Sequence, residues 1–175
     1  MACMTKIARI SLAASGRKST LKAVSLRLLL ATGYLYDIGK IACEAIDNGE
    51  VKSVVKISLE CCEMDMVRYA KDIICFFEAS TNLFRHLTRL FPHNARFDEL
   101  RMHRPLNSCE QLQHLVLNNC DTGDQSVLKI DMPNSKITCL KLFSCCFEKV
   151  QFLCLSKLSE LHYELYIRGR TKQRP

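Results

Sequence analysis

A chain of 175 residues with 48% hydrophobic and 25% charged side chains has the composition of one ordinary globular domain, and no apolar run approaches the roughly eighteen residues of a membrane-spanning helix. The formal charge of +7 points to nucleic acid until it is located. Residues 1–30 hold six basic and no acidic side chains and residues 168–175 hold four basic and none acidic, so the stretch between them is mildly acidic. The excess lies in two tails and not on a folded basic face with stacking aromatics, which excludes a specific nucleic-acid surface and leaves only nonspecific attraction by the ends.

Residues 1–20, MACMTKIARISLAASGRKST, are expected to form a flexible basic lead-in. Lys6, Arg9, Arg17 and Lys18 among Ser and Thr also fit an organellar transit peptide, the minority reading beside a cytoplasmic or nuclear location. No secretory apolar segment is present, so the eleven cysteines are expected to be reduced.

From Leu21 onward one template recurs. Its clearest copy, LQHLVLNNC at Leu112, has the form L-x-x-L-x-L-x-x-C, a period that belongs to neither a helical face nor a simple strand. ITCLKLFSC repeats it from Ile137, 25 residues on, and LTRLFPHNA from Leu87 repeats it 25 residues before, with Pro92 where a leucine should stand. VVKISLECC from Val54, LKAVSLRLL from Leu21 and LSELHYE from Leu158 complete six imperfect units, spaced 33, 33, 25, 25 and 21 residues apart. The last three steps match a leucine-rich-repeat period of about 20 to 29 residues, so the first two units need longer connectors. Those connectors read as helices. YDIGKIACEAIDNG sets Ile38, Ile41, Ala42, Ala45 and Ile46 on one face before an Asn48-Gly49 stop. DMVRYAKDIICFF does the same with Met66, Tyr69, Ala70, Ile73, Ile74 and Phe77 behind a candidate Asp65 cap.

The fold class expected is therefore α/β, a horseshoe-like leucine-rich-repeat solenoid of the ribonuclease-inhibitor type over residues 21–165. It would have a parallel concave sheet, with helices or short extended segments on the convex side, and a basic tail over residues 166–175. Leucines at template positions one, four and six fill the core. Position nine turns inward to bond the adjacent turn, a place for Asn or Cys, occupied by Cys62, Cys120 and Cys145. That assigns a structural use to much of the thiol count. No Cys-x-x-Cys occurs, and adjacent pairs such as Cys61-Cys62 point to opposite faces of an extended chain, so neither a metal site nor a disulfide framework is expected.

The run from Leu106 to Cys145 resembles the leucine-rich-repeat region of plant F-box proteins, particularly the large grass families. Three features carry the resemblance: Leu106-x-x-Cys109-x-x-Leu112 before the strand, Asn119-Cys120-Asp121 closing it, and Leu128-Lys129-Ile130-Asp131-Met132-Pro133-Asn134-Ser135 after it. AIDNGEVKSV, DMVRYAK, FFEAS and LTRL extend it more weakly over about residues 34 to 163. The resemblance implies a short extended convex segment at Leu128–Ser135 and a substrate-recruiting surface of a cullin ubiquitin-ligase adaptor. An F-box needs about forty residues with a Leu-Pro start. Only about twenty residues precede the first unit, without Pro, so docking on a Skp1-type adaptor is not expected of this chain. After Tyr163 the chain passes into LYIRGRTKQRP, where the family continues with further repeats.

Pleating turns template positions three, five, seven and eight away from the leucines, toward the concave side. The residues expected to contact a protein partner are Arg89, Phe91 and His93, then His114, Val116, Asn118 and Asn119, then Lys141, Phe143 and Ser144, and His162, with Cys139, Glu160 and Glu164 in the same rows. Aromatics such as Phe91 and Phe143 suit protein contacts. The alternative reading is a truncated or divergent copy with no binding role of its own. Catalytic residues, cofactors and metal ligands are not expected. Gly33-Tyr-Leu-Tyr-Asp-Ile-Gly39-Lys40 has one residue too many for a phosphate loop and Ile41 in place of the magnesium-binding Ser or Thr, and no hydrolase signature is present. Neither end of the array has an obvious polar cap, so the isolated chain is expected to be marginally stable or sticky.

Overall fold

The structure, a computed structural model, describes residues 20–30, 34–61, 66–97, 106–123 and 127–164. The expected flexible ends, the Asp65 cap, the Met66 side chain and Cys62 lie outside those residues.

The architecture is α/β, with a six-stranded parallel sheet and a second, two-stranded one. Strands β1 (Val24–Leu30), β2 (Val54–Cys61), β3 (Arg89–His93) and β4 (His114–Asn118) stand side by side in chain order. They are followed by β6 (Cys139–Phe143) and β8 (Glu160–Glu164). The strands β5 (Val127–Asp131) and β7 (Lys149–Cys154) pair separately, also in parallel. Helices α1 (Leu35–Asp47), α2 (Met66–Ala79) and the short α3 (Thr81–Phe84) fill the first two connections. Parallel neighbours require a crossover at every step, and the long connectors seen in the sequence supply it.

Register ties the sheet to the template. Arg89 pairs with His114, His114 with Cys139 and Cys139 with Glu160, so each unit stacks on the next at the same template position. Leu90, Leu115 and Leu140 at position four, Leu117 and Leu142 at position six, and Leu87, Leu112 and Ile137 at position one are all buried to 1% exposure or less. Burial of one such side chain stabilises by about 1.5–3 kcal/mol, so each rung of this ladder adds to the core. Position nine turns inward as expected: the Cys120 thiol donates to the Pro92 carbonyl at 3.7 Å and the Cys145 thiol to the Leu117 carbonyl at 3.4 Å, the same contact one unit apart. Pro92 is itself buried opposite Leu59, filling the leucine place. Lacking an N–H, it leaves a gap in the β3–β4 pairing between Leu90 and His93.

The first unit departs from the expected register. Leu26 pairs with Ile57 and Leu28 with Leu59 across an irregularity at Val24/Ser25, so Leu26 and Leu28 hold positions four and six. The template therefore begins at Val24, opposite Val54, and not at Leu21, which makes only an isolated bridge to Val51. The alternating VSLRLLL satisfies the apolar spacing in two registers, and pairing with β2 selects one. At the other edge Leu158, Leu161 and Tyr163 are in the expected register, but Leu161 and Tyr163 are 49% and 44% exposed.

Helix α1 buries Ile38, Ile41, Ala42 and Ala45, with Ile46 half-buried, and ends where the Asn48 N–H returns to the Glu44 carbonyl and Gly49 takes a φ of +72°. Gly39 and Lys40 lie inside this helix, and Gly33 falls outside the described residues. Helix α2 buries Tyr69, Ile73, Ile74 and Phe77, and also Phe76, whose ring meets Phe84 edge-on at 5.5 Å. The Leu128–Ser135 segment begins extended, as β5, and sends Leu128, Ile130 and Met132 into the same core.

Candidate functional site

One face of the large sheet is packed and the other is open. On the open face the residues of β1, β2, β3, β4, β6 and β8 form three rows. The first runs Ser25, Lys56, Arg89, His114, Cys139 and Glu160, each paired with the next. In the second, Arg27 pairs with Ser58, Ser58 with Phe91, Val116 with Lys141 and Lys141 with His162. The third runs Leu29, Glu60, His93, Asn118, Phe143 and Glu164. Parallel strands about 4.8 Å apart set the row spacing, so neighbouring side chains in a row are close enough to engage one ligand together.

Arg89, Phe91, His93, His114, Val116, Asn118, Lys141, Phe143 and His162 all stand on this face, brought together as the template positions imply. Asn119 and Ser144 do not: each lies one residue beyond its strand, in a turn with φ of +48° and +51°. Cys139 shares the first row but is buried, and that burial, with Glu160 beside it, pushes its thiol up.

Lys56, Ser58 and Glu60 of β2 and Arg27 of β1 also belong to the face, although they were not singled out from the sequence. The signal was present, since VVKISLECC puts Lys56, Ser58 and Glu60 at positions three, five and seven. The Arg27 guanidinium clasps both Glu60 oxygens at 2.8 and 2.9 Å and holds that carboxyl below its ordinary range. The Lys56 ammonium sits 4.8 Å from the centre of the Phe91 ring, a cation–π contact that orients both side chains. His162 lies 3.8 Å from Glu160 at the far edge.

Burial acts on several of the described thiols. Burial pushes the Cys109 thiol up to about 12, and Cys120, enclosed beside Cys145, is also raised by burial. Cys145 is lowered by the hydrogen bond with Cys120, and it is buried with its thiol directed at the Leu117 and Phe143 carbonyls. No disulfide joins the nine described cysteines, and among the described residues no group of three His, Cys, Asp or Glu is placed to hold a metal ion. Leu106, Cys109, Met132 and Ser135 line a cavity of about 220 Å³ together with Asn107, Glu110, Pro133 and Asn134. No described helix is long and apolar enough to cross a membrane. The open face mixes half-buried aromatic side chains with cationic ones on a sheet. Comparisons of the chain with protein-family models, with curated proteins and with solved structures find no match.

Proposed function

We propose that the chain is a leucine-rich-repeat solenoid whose open sheet face is the concave recognition surface for a protein partner, a non-enzymatic module like the substrate-recognition repeats of an F-box ubiquitin-ligase adaptor. The observation that supports it is the register: strands 25 residues apart pair position for position, and the thiol contacts of Cys120 and Cys145 recur with the same period. A face built this way repeats its side-chain rows at fixed spacing over six strands, a broad and rigid platform.

Lys141 and Phe143 stand on β6, the fifth of the six strands, and take no part in the core. Replacing both with Ala leaves the unfolding transition in place and weakens capture of a partner by at least about tenfold, since aromatic anchors contribute much of the energy of such contacts. Undiminished binding by the double variant would sink the assignment of this face.

A further inference from the structure

Resting on that reading, we infer that the occupant of the open face is a short acidic segment in extended conformation, laid across β3, β4 and β6. Its carboxylates meet Arg89 and Lys141, and an apolar side chain lies over Phe91 and Val116.

The charge layout drives this. Strands β3, β4 and β6 contain no Asp or Glu, yet they present Arg89 and Lys141 with His93 and His114 between them. That strip sits in a chain whose middle portion is otherwise mildly acidic. Among the described residues, Arg89 and Lys141 stand outside the ion pairs Arg27–Glu60, Arg96–Asp121 and His162–Glu160. Lys56 adds a further cation from the neighbouring strand, held over Phe91.

The length of the ligand follows from what flanks the strip. Glu60 stands on one side, held by Arg27, and Glu160 and Glu164 stand on the other, in β8. The cationic stretch from β2 to β6 covers three strand intervals, about 14 Å, or four to five residues of extended chain at about 3.3 Å each. Arg89 and Lys141 are two strands and one row apart, roughly 12 Å, which matches carboxylates four residues apart, about 13 Å and on the same side of an extended peptide. A nucleic-acid backbone has charge at every step, and one crossing the whole face would run onto the glutamates at either side. A peptide can place its charges only where the cations are.

The test is fluorescence anisotropy with the full chain and four labelled probes. These are an end-blocked peptide with the core Glu-Ser-Phe-Ser-Glu, its Gln-Ser-Phe-Ser-Gln and Lys-Ser-Phe-Ser-Lys counterparts, and an oligothymidylate of matching length. The Glu peptide binds, the Gln peptide binds at least about tenfold more weakly, and added salt narrows the gap. Arg89→Glu and Lys141→Glu each weaken the Glu peptide, and together they transfer preference to the Lys peptide. Circular dichroism checks that the variants fold, with Lys56→Glu as the substitute should either fail. Equal binding of Glu and Gln peptides, still weakened by Phe143→Ala, would overturn the acidic occupant and leave the recognition face standing. Indifference to both Arg89→Glu and Phe143→Ala would remove the face itself. Failure of every peptide to bind, or tighter binding of the oligothymidylate, would likewise overturn the inference.

Discussion

The side-chain amide of Asn119 donates to the Asn94 side-chain carbonyl at 2.7 Å, and the Asn94 amide donates to the Cys61 carbonyl, also at 2.7 Å. The two residues stand 25 apart and share left-handed backbone, with φ of +53° at Asn94 and +48° at Asn119, so one conformation and one polar ladder close successive strands. Asn94→Ala removes both bonds, withdraws one donor from the Cys61 carbonyl and puts a residue with no side-chain compensation into left-handed space, a loss of about 2–3 kcal/mol. Asn94→Gly keeps the backbone and loses only the bonds, about half as much. Chemical denaturation of the two variants checks the order, and Gly proving as damaging as Ala would show that conformation contributes nothing.

How far the sequence foretold this can be judged residue by residue. Strands β4 and β6 were legible because Leu115, Leu117, Leu140 and Leu142 repeat with one period, and α1 because Ile38, Ile41 and Ala45 share a helical face. The Asn ladder was not, since Asn119 read by alternation alone belongs to the open face and only its positive φ turns it along the stack. The register of β1 was ambiguous because pairing, and not spacing, fixes it. Strand β7 escaped notice because KVQFLC exposes Phe152 and Leu153 at 38% and 58% and shows no buried periodicity.

Gly39 packs where α1 meets α2. A Cβ built there would fall 2.2 Å from Ser80 Oγ and 3.0 Å from the Phe76 ring, while Ser80 Oγ is buried without a hydrogen-bond partner. Gly39→Ala is therefore destabilising by roughly 2 kcal/mol or more through overpacking. Ser80→Ala, which removes the orphaned hydroxyl, is neutral or stabilising by about 1 kcal/mol. The double variant loses less than the sum of the two, because the deleted oxygen is the one the new methyl strikes. Strict additivity in thermal unfolding would count against this packing.

Cys109 links stability to alkaline pH. Burial raises its thiol from 9.0 to about 12, so the folded state retains a proton that the unfolded chain releases. The stabilisation is complete below 9.0 and is lost as pH rises toward about 12, at on the order of 1.4 kcal/mol per pH unit within that window. Cys109→Ala should lower stability at neutral pH but flatten its decline above 9.0 relative to the native chain. Parallel declines in denaturant midpoints against pH would contradict the burial argument.

Apolar side chains lie uncovered at the β8 edge and on β7: Leu161 and Tyr163 in core register, with Phe152 and Leu153 on the small sheet. Such a patch favours self-association. Leu153→Glu with Leu161→Glu should reduce light scattering of the concentrated chain while leaving the unfolding midpoint within about 1 kcal/mol, as substitutions at exposed sites do. Unaltered scattering would place the sticky surface elsewhere.

The central claim, that the open sheet face holds a protein partner, is tested most directly by site-specific photo-crosslinking in an extract of the source cells. A photoreactive phenylalanine derivative replaces Val116 or Phe143 on the open face, or Lys129 on β5 as the control. Discrete adducts from the first two positions, absent from the third and abolished by excess unmodified chain, are the expected result. Adducts of equal yield from Lys129, or none from Val116 and Phe143, would contradict the account.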